Sequence, residues 1–511
     1  MIENAITVHP FSAETLGRLI CPDRLDNIPP QVDYLARYCA RLGARTLVHE
    51  RHYMDRHYVD EYALYYSRML SPPPNHVARI HFFKRDFDET QFARWLERST
   101  VSAADREAVQ AELSAGAKPN DRDGYLGYCS VRPVTSVPIG RTILSTPGDD
   151  TTGLRRDIWA TNRHDVHIAN LCLRVDGLAF QQQDVAVGAC ATAALWSALA
   201  RSARMDGMRA PTPAEISEAA TRAARPPVRG LLSASTGLTV TQLCEATRSL
   251  GFTPEVISAM RRPESFVGAL HAYLQSGIPV VLALRGSGLG HAVAATGFQC
   301  SSSEHPGLSG TIPSFSSRMT KLYIHDDRLG PYARAYIAPF NCRVDATTGD
   351  TIEGLSCEIE WPGKQAEMWL VDSAVVPVYP KLRMSVRSLM ALAELTAGLV
   401  EPLVGPKRAR ELRVDLRYER GGEYLSRLSG RLVDPNVAGT FVRRVSFSRW
   451  IAIVRWHLAE QELLEFVYDT TDIVRTAEIQ NRELLRAIVC LQDGFRKAIR
   501  PIADELQVLT G

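Results

Sequence analysis

Between residues 190 and 327 the apolar pattern changes period, with four helix-patterned stretches first and β-branched runs after them. From Cys190, the stretch ATAALWSALARSA sets Ala194, Leu195, Ala198 and Leu199 on one apolar stripe. Thr212-Pro213-Ala214-Glu215 has the form of a capping box with proline at the first helical position. TVTQLCEATRSLGF (239–252) reads as a third helix closed by Gly251, and SFVGALHAYLQSG (265–277) as a fourth. IPVVLAL (278–284), HAVAATGF (291–298) and KLYIHDD (321–327) then read as strands, and SSSEHPGLSGTIPSFSSR between the last two as a polar surface loop. Helices grouped ahead of strands, rather than alternating with them, make this an α+β core.

That core fills only part of the chain. At 511 residues the protein is too long for one ordinary domain, and roughly three are expected. We read 1–165 as an N-terminal mixed α/β domain, 166–380 as the central domain and 381–511 as a C-terminal helix-rich α+β domain. Near the start, the tyrosine spacing over 53–70 predicts a helix, VARIHFF (77–83) a strand and DETQFARWLERS a second helix. Residues 124–145 read as two short strands around a proline turn, and STPGDDTTG (145–153) as a linker. HIANLCLRVDGLAF (167–180) predicts a hairpin turning at Asp176-Gly177. Past 380, SLMALAELTAGLVEPLV reads as helix, SRWIAIVRWHL and ELLEFVYDTTD as paired strands, and ELLRAIVCLQDGFRKAIRPIADEL as one or two long helices.

Composition narrows the class of partner. The 59 basic and 57 acidic residues leave a formal charge of +2, which gives no electrostatic case for nucleic acid. Ten dispersed cysteines, none at two-residue spacing, fit neither a disulfide scaffold nor a structural zinc site, and suit buried thiols in a reducing compartment. The first residues, MIENAITVHP, lack the basic and apolar regions of a secretory signal, and no apolar run reaches the ~18 residues that span a bilayer. A soluble, cytoplasmic protein without membrane partners is expected. His49, His52 and His57 lack the i, i+4 spacing of a helical zinc motif, and GSGLG (286–290) precedes a strand rather than opening a helix, so neither a metal nor a cofactor is expected.

The chemistry concentrates in the central segment. Cys190 stands where a polar stretch meets an apolar helix, so its thiol feels the positive end of the helix dipole, which favours the nucleophilic thiolate. His291 opens a strand after small residues that leave the imidazole accessible, and Asp326 and Asp327 end the next strand, where a carboxylate can hold the second ring nitrogen. Register favours Asp326, which directly follows the Tyr323-Ile324-His325 run, and assigns Asp327 to the turn at Arg328-Leu329-Gly330. Gln183 supplies an amide upstream of the thiol for an oxyanion hole. Alone, a cysteine in an alanine-rich helix is usually a small core residue, and only the order Cys, His, Asp separates Cys190 from that reading.

In order and spacing, Gln183, GACATAALWSAL, SGIPVVLAL, GHAVAATGF and YIHDD resemble the papain-like cysteine peptidase superfamily, and within it the bacterial double-glycine (bacteriocin-processing) peptidases. The resemblance covers about 180–330. Gln183 lies seven residues before Cys190 where that family places its glutamine six before, and the stretch 299–320 lengthens the His-to-Asp span. The resemblance implies a papain-like hydrolase core that cleaves a peptide or isopeptide bond of a protein or peptide substrate through an acyl-enzyme. Cys190 would be the nucleophile, His291 the base, Asp326 its orienting partner and Gln183 the oxyanion donor. The same nucleophilic half serves acyltransferases, transglutaminases and deamidases, and an interaction protein that kept the fold without the chemistry is a third reading. The flanking domains would bring substrate selection, regulation, self-association or a partner protein.

Overall fold

The computed structural model describes all residues except 1–4, 25–26, 116–123, 135, 149–153, 184–189, 223–237, 287–289, 344–350, 430–442, 472–483, 506–508 and 511. Its first five strands, β1 (Ile6–Pro10), β2 (Thr46–Tyr53), β3 (Val77–Phe83), β4 (Tyr125–Val131) and β5 (Ile139–Leu144), pair antiparallel in chain order. Helices α1 (Ala13–Ile20) and α2 (Pro30–Leu42) join β1 to β2; α3 (Arg56–Leu64) joins β2 to β3; α4 (Glu89–Val101) and α5 (Ala103–Ser114) join β3 to β4. The helix expected over 53–70 is therefore shorter than its tyrosine periodicity. Tyr53 ends β2, and α3 starts only after Asp55, whose carboxylate accepts from the amides of His57 (2.9 Å) and Tyr58 (3.3 Å).

After the two-residue strand β6 (Arg156–Asp157), a hairpin forms from β7 (Asn162–Ile168) and β8 (Leu171–Gly177). Its turn is at Ala169-Asn170, not at the expected Asp176-Gly177, which lies at the far end of β8. Val166, Ile168, Leu171, Leu173 and Val175 are buried in alternation, and that shared face fixes the register.

The central segment follows the expected order closely. α6 (Cys190–Met205), α7 (Pro213–Arg222) and α8 (Val240–Ser249) come first, then β9 (Thr253–Ser258) and α9 (Pro263–Gln275). The capping box on α7 forms: the Thr212 amide donates to the Glu215 carboxylate (2.8 Å) and the Glu215 amide to the Thr212 hydroxyl (3.3 Å). Six antiparallel strands follow: β10 (Val280–Arg285), β11 (Gly290–Cys300), β12 (Met319–Asp326), β13 (Gly330–Arg343), β14 (Thr351–Ile359) and β15 (Glu367–Val378). β15 pairs with β14 through its first half, with β9 through its second half, and with β10 on its other edge, so the six strands close into a barrel. α6 packs along β10, β11, β12 and β15 and buries Leu195, Ala198, Leu199 and Ala203 completely.

The C-terminal part begins with α10 (Val386–Val404), then β16 (Leu412–Arg420), α11 (Gly421–Ser429), β17 (Trp450–Leu458), β18 (Gln461–Asp469), β19 (Leu485–Cys490), α12 (Asp493–Glu505) and β20 (Leu509–Thr510). The last five strands form one sheet in chain order, antiparallel except for the β19–β20 pair. The one or two long helices expected over 483–506 are replaced in their first part by β19. A short apolar run such as Leu485–Cys490 carries no decisive period, and pairing along β18 settles it as a strand. The protein is α+β throughout, and no helix among the described residues is long and apolar enough to cross a membrane.

Candidate active site

Three elements bring the expected residues together. Cys190 is the first residue of α6 and half-buried, so its thiol sits at the positive end of that helix. His291 is the second residue of β11, opposite Leu284 of β10, and its imidazole is buried. Asp326 ends β12, completely buried. The Nε2 of His291 lies 3.0 Å from the Asp326 Oδ1, and the Cys190 thiol is near enough to the same imidazole to help hold its pKa up. With Nε2 facing the carboxylate, Nδ1 is the nitrogen left for sulfur. Cys190, His291 and Asp326 thus form one chain of contacts, in the order read from the sequence.

The electrostatics follow from burial and two carboxylates. Burial disfavours a charged imidazole, but the Asp326 charge, its hydrogen bond, the thiol and Asp327 outweigh it and hold the His291 pKa up at about 10. Asp326 would likewise be pushed up by burial, yet His291 and Arg328 keep it well below the usual carboxylate range. At neutral pH this arrangement favours an imidazolium flanked by a carboxylate and a sulfur, the charge state a thiolate requires beside it.

Two neighbours were not foreseen in these positions. A bulge between Ile324 and Asp326 breaks the alternation of β12, and Asp327 is buried beside Asp326 rather than capping the turn. The turn is capped by Asp326 itself, whose Oδ1 accepts from the Arg328 amide at 3.0 Å. Asp327 Oδ1 is buried without a hydrogen-bond partner, and burial together with the Asp326 charge pushes this carboxyl up to about 7. Arg328 is the second. Its Nη2 lies 3.3 Å from Asp326 Oδ2, its Nε 3.2 Å from His291 Nε2 and its Nη1 3.0 Å from Glu367 Oε2. The guanidinium stacks near Trp369 and Trp361, and the Trp369 ring also stands 5.5 Å from the imidazole. Gly286 leaves room for that ring, because a Cβ there would lie 2.9 Å from it. No sequence signal marked Trp369, which arrives on a strand 78 positions beyond His291 by barrel closure alone.

Ligand-type atoms of His291, Asp326 and Asp327 lie within 4.8 Å of one another, a spacing that could hold a cation. The guanidinium of Arg328 already contacts both His291 and Asp326 there, and supplies the positive charge.

Gln183 is placed less fully. It is half-buried at the end of the approach to α6, and residues 184–189, which connect it to Cys190, lie outside the described residues. The two glutamines before it are committed elsewhere. Gln181 donates to buried Glu61 (2.7 Å), Gln182 accepts from the Ile139 amide (3.2 Å), and Arg132 links both through Glu61 and the Gln182 carbonyl. No contact of Gln183 with Cys190 or His291 is present among the described residues.

No protein-family model matches the chain, and no curated protein matches it in sequence.

Proposed function

We propose that this chain is a papain-like cysteine hydrolase, similar in plan to the bacterial double-glycine peptidases, acting on a peptide or isopeptide bond of a protein or peptide substrate. The observation that carries the reading is that one buried imidazole, His291, contacts both the thiol at a helix N-terminus and a buried carboxylate. Cys190 thiolate adds to the scissile carbonyl, forming the C–S bond and placing charge on oxygen, which Gln183 stabilises from the approach to α6. His291, as imidazolium, gives its proton to the leaving amine as the C–N bond breaks. Neutral His291 then takes a proton from water, whose oxygen attacks the thioester and releases the acid and the thiolate. Asp326 keeps the imidazole oriented throughout and stabilises it whenever it is charged. Thiols outside any disulfide at Cys21, Cys39, Cys129, Cys172, Cys244, Cys300 and Cys357 suit action in the cytoplasm, where such groups stay reduced.

The test is turnover of a peptide and isopeptide substrate panel by the full chain and by Cys190→Ala, His291→Ala and the double variant. Each single change should abolish turnover with little effect on melting temperature, and the double should be no worse, since residues of one catalytic unit are non-additive. Retained turnover in Cys190→Ala would overturn the assignment. Release of ammonia without chain cleavage would move the reaction to the deamidase or acyl-transfer class on the same residues.

A further inference from the structure

A second polar cavity lies far along β11 from His291. It has a volume of about 490 Å³ and opens where β16 and β17 of the C-terminal sheet meet the end of β11 and α9. Its wall carries Arg417, Arg427 and Arg455, and two of these guanidiniums are held from behind. Arg427 donates through Nε and Nη2 to Glu419 at 3.1 and 2.8 Å, and Arg455 through Nε to fully buried Glu465 at 2.6 Å. Neither of these two glutamates lines the cavity, but Glu462 does, and it accepts from Arg455 Nη1 at 2.8 Å. Arginines fixed in this way are oriented before any ligand arrives, and their planar forks match phosphate or carboxylate oxygens.

The same wall has polar atoms with nothing to bond. Asp415 pairs with Arg417 through Oδ2, while its Oδ1 is buried without a hydrogen-bond partner, as is the Nε of Arg417. Both ring nitrogens of His457 are buried and unpartnered, and burial holds its pKa down to about 4, so the neutral ring offers one donor and one acceptor. A buried polar atom left without a partner is costly, so four of them around one opening mark a place that a ligand completes. The rest of the wall mixes polar groups, Asp157 and Gln275 among them, with aromatic rings: Phe315 meets the His457 ring edge-on at 4.9 Å, and Trp159 stands half-exposed at the rim.

We propose that this cavity binds a mononucleotide, with its phosphate on Arg417, Arg427 and Arg455 and its base against Phe315 and Trp159. A lone phosphate would satisfy the arginines but meet the Asp415 carboxylate as a like charge. A nucleotide instead presents hydroxyl or amine donors to Asp415 and His457 and a planar face to the aromatics. The volume falls in the ~300–1,000 Å³ range of small-molecule sites, and the position between two packed units is where such sites concentrate. The proposal does not depend on the chemistry assigned to Cys190.

The experiment is isothermal titration of the full chain with the four common nucleoside monophosphates and diphosphates, with the parent nucleosides and inorganic phosphate as controls. At least one nucleotide should bind, and its nucleoside and phosphate alone should bind at least about tenfold more weakly. Arg417→Gln and Trp159→Ala should each weaken that nucleotide by about tenfold or more. Trp159 is at the rim, so its variant decides the matter even if Arg417→Gln does not fold. Absence of binding by every nucleotide, full binding of phosphate alone, or undiminished affinity in Trp159→Ala would overturn the proposal.

Discussion

The Nε of Arg328 lies 3.2 Å from the Nε2 of His291, the ring nitrogen that also faces Asp326 at 3.0 Å. One nitrogen cannot satisfy both in one protonation state. Protonated, Nε2 donates to Asp326; unprotonated, it accepts from Arg328, and the neutral ring's proton then sits on Nδ1, towards the thiol. The first state supports a thiolate–imidazolium pair, and the second gives the thiol no acceptor. Arg328→Met removes the competing side-chain donor and keeps the backbone amide that donates to Asp326 Oδ1. The alkaline limb of the pH–turnover profile should therefore move to higher pH. An unmoved limb would show that the guanidinium has no hold on the tautomer.

Asp326 and Asp327 should separate cleanly when each is changed to asparagine. Asp326→Asn keeps size but reverses the donor–acceptor logic at Nε2, and turnover should fall by on the order of 10⁴. Asp327→Asn should leave turnover nearly intact and change stability instead. Asp327 sits at about 7 in the folded chain against an ordinary value of 3.8, so its contribution to stability is full below about 3.8 and is lost as pH rises through 7. Melting curves should show Asp327→Asn more stable than the parent above pH 7, with the gap closing towards pH 4. A constant gap across that window would mean the carboxyl titrates normally.

Thiol chemistry offers a test without a substrate. Burial raises the pKa of Cys21, Cys39, Cys129, Cys172, Cys244, Cys300 and Cys357. Cys190 is half-buried at the start of α6, beside the His291 imidazole. Iodoacetamide at mildly acidic pH should label Cys190 first, and His291→Ala should remove that preference. Mass spectrometry showing uniform labelling would count against the site.

Gly330 couples the N-terminal part to the acid end of the site. It follows the turn from Asp326, and a Cβ there would lie 2.2 Å from the Tyr34 ring, whose hydroxyl donates to the Pro331 carbonyl at 2.9 Å. Gly330→Ala should destabilise by roughly 1–3 kcal/mol, as overpacked substitutions do, and lower turnover by shifting Asp326. Full activity with normal stability would show that α2 yields without disturbing the turn.

Much of the site could be read from local pattern. The strand Gly290–Cys300 and the helix from Cys190 follow their apolar periods, and Asp326 was reached by counting along β12. The count failed one residue later, because the bulge after Ile324 depends on pairing with β13 and leaves no mark in the sequence. Strand alternation alone therefore assigns Asp327 to capping the turn at Arg328-Leu329-Gly330 instead of the space beside Asp326. Trp369 and β15 were missed for a different reason: what matters there is closure with β10, a contact about 90 residues apart in sequence that no local window contains. At Leu485–Cys490, intrinsic pattern was ambiguous and neighbouring β18 decided.

The ring of strands sets a minimum length for a working fragment. His291 lies opposite Leu284, and Leu284 opposite Val371 on β15. A piece ending near residue 345 would contain Cys190, His291 and Asp326 and every motif legible in the sequence, yet leave β10 as a bare edge with nothing bracing the strand beside His291. Excised for study, the barrel cannot stop before Val378, where β15 finishes its pairing with β9.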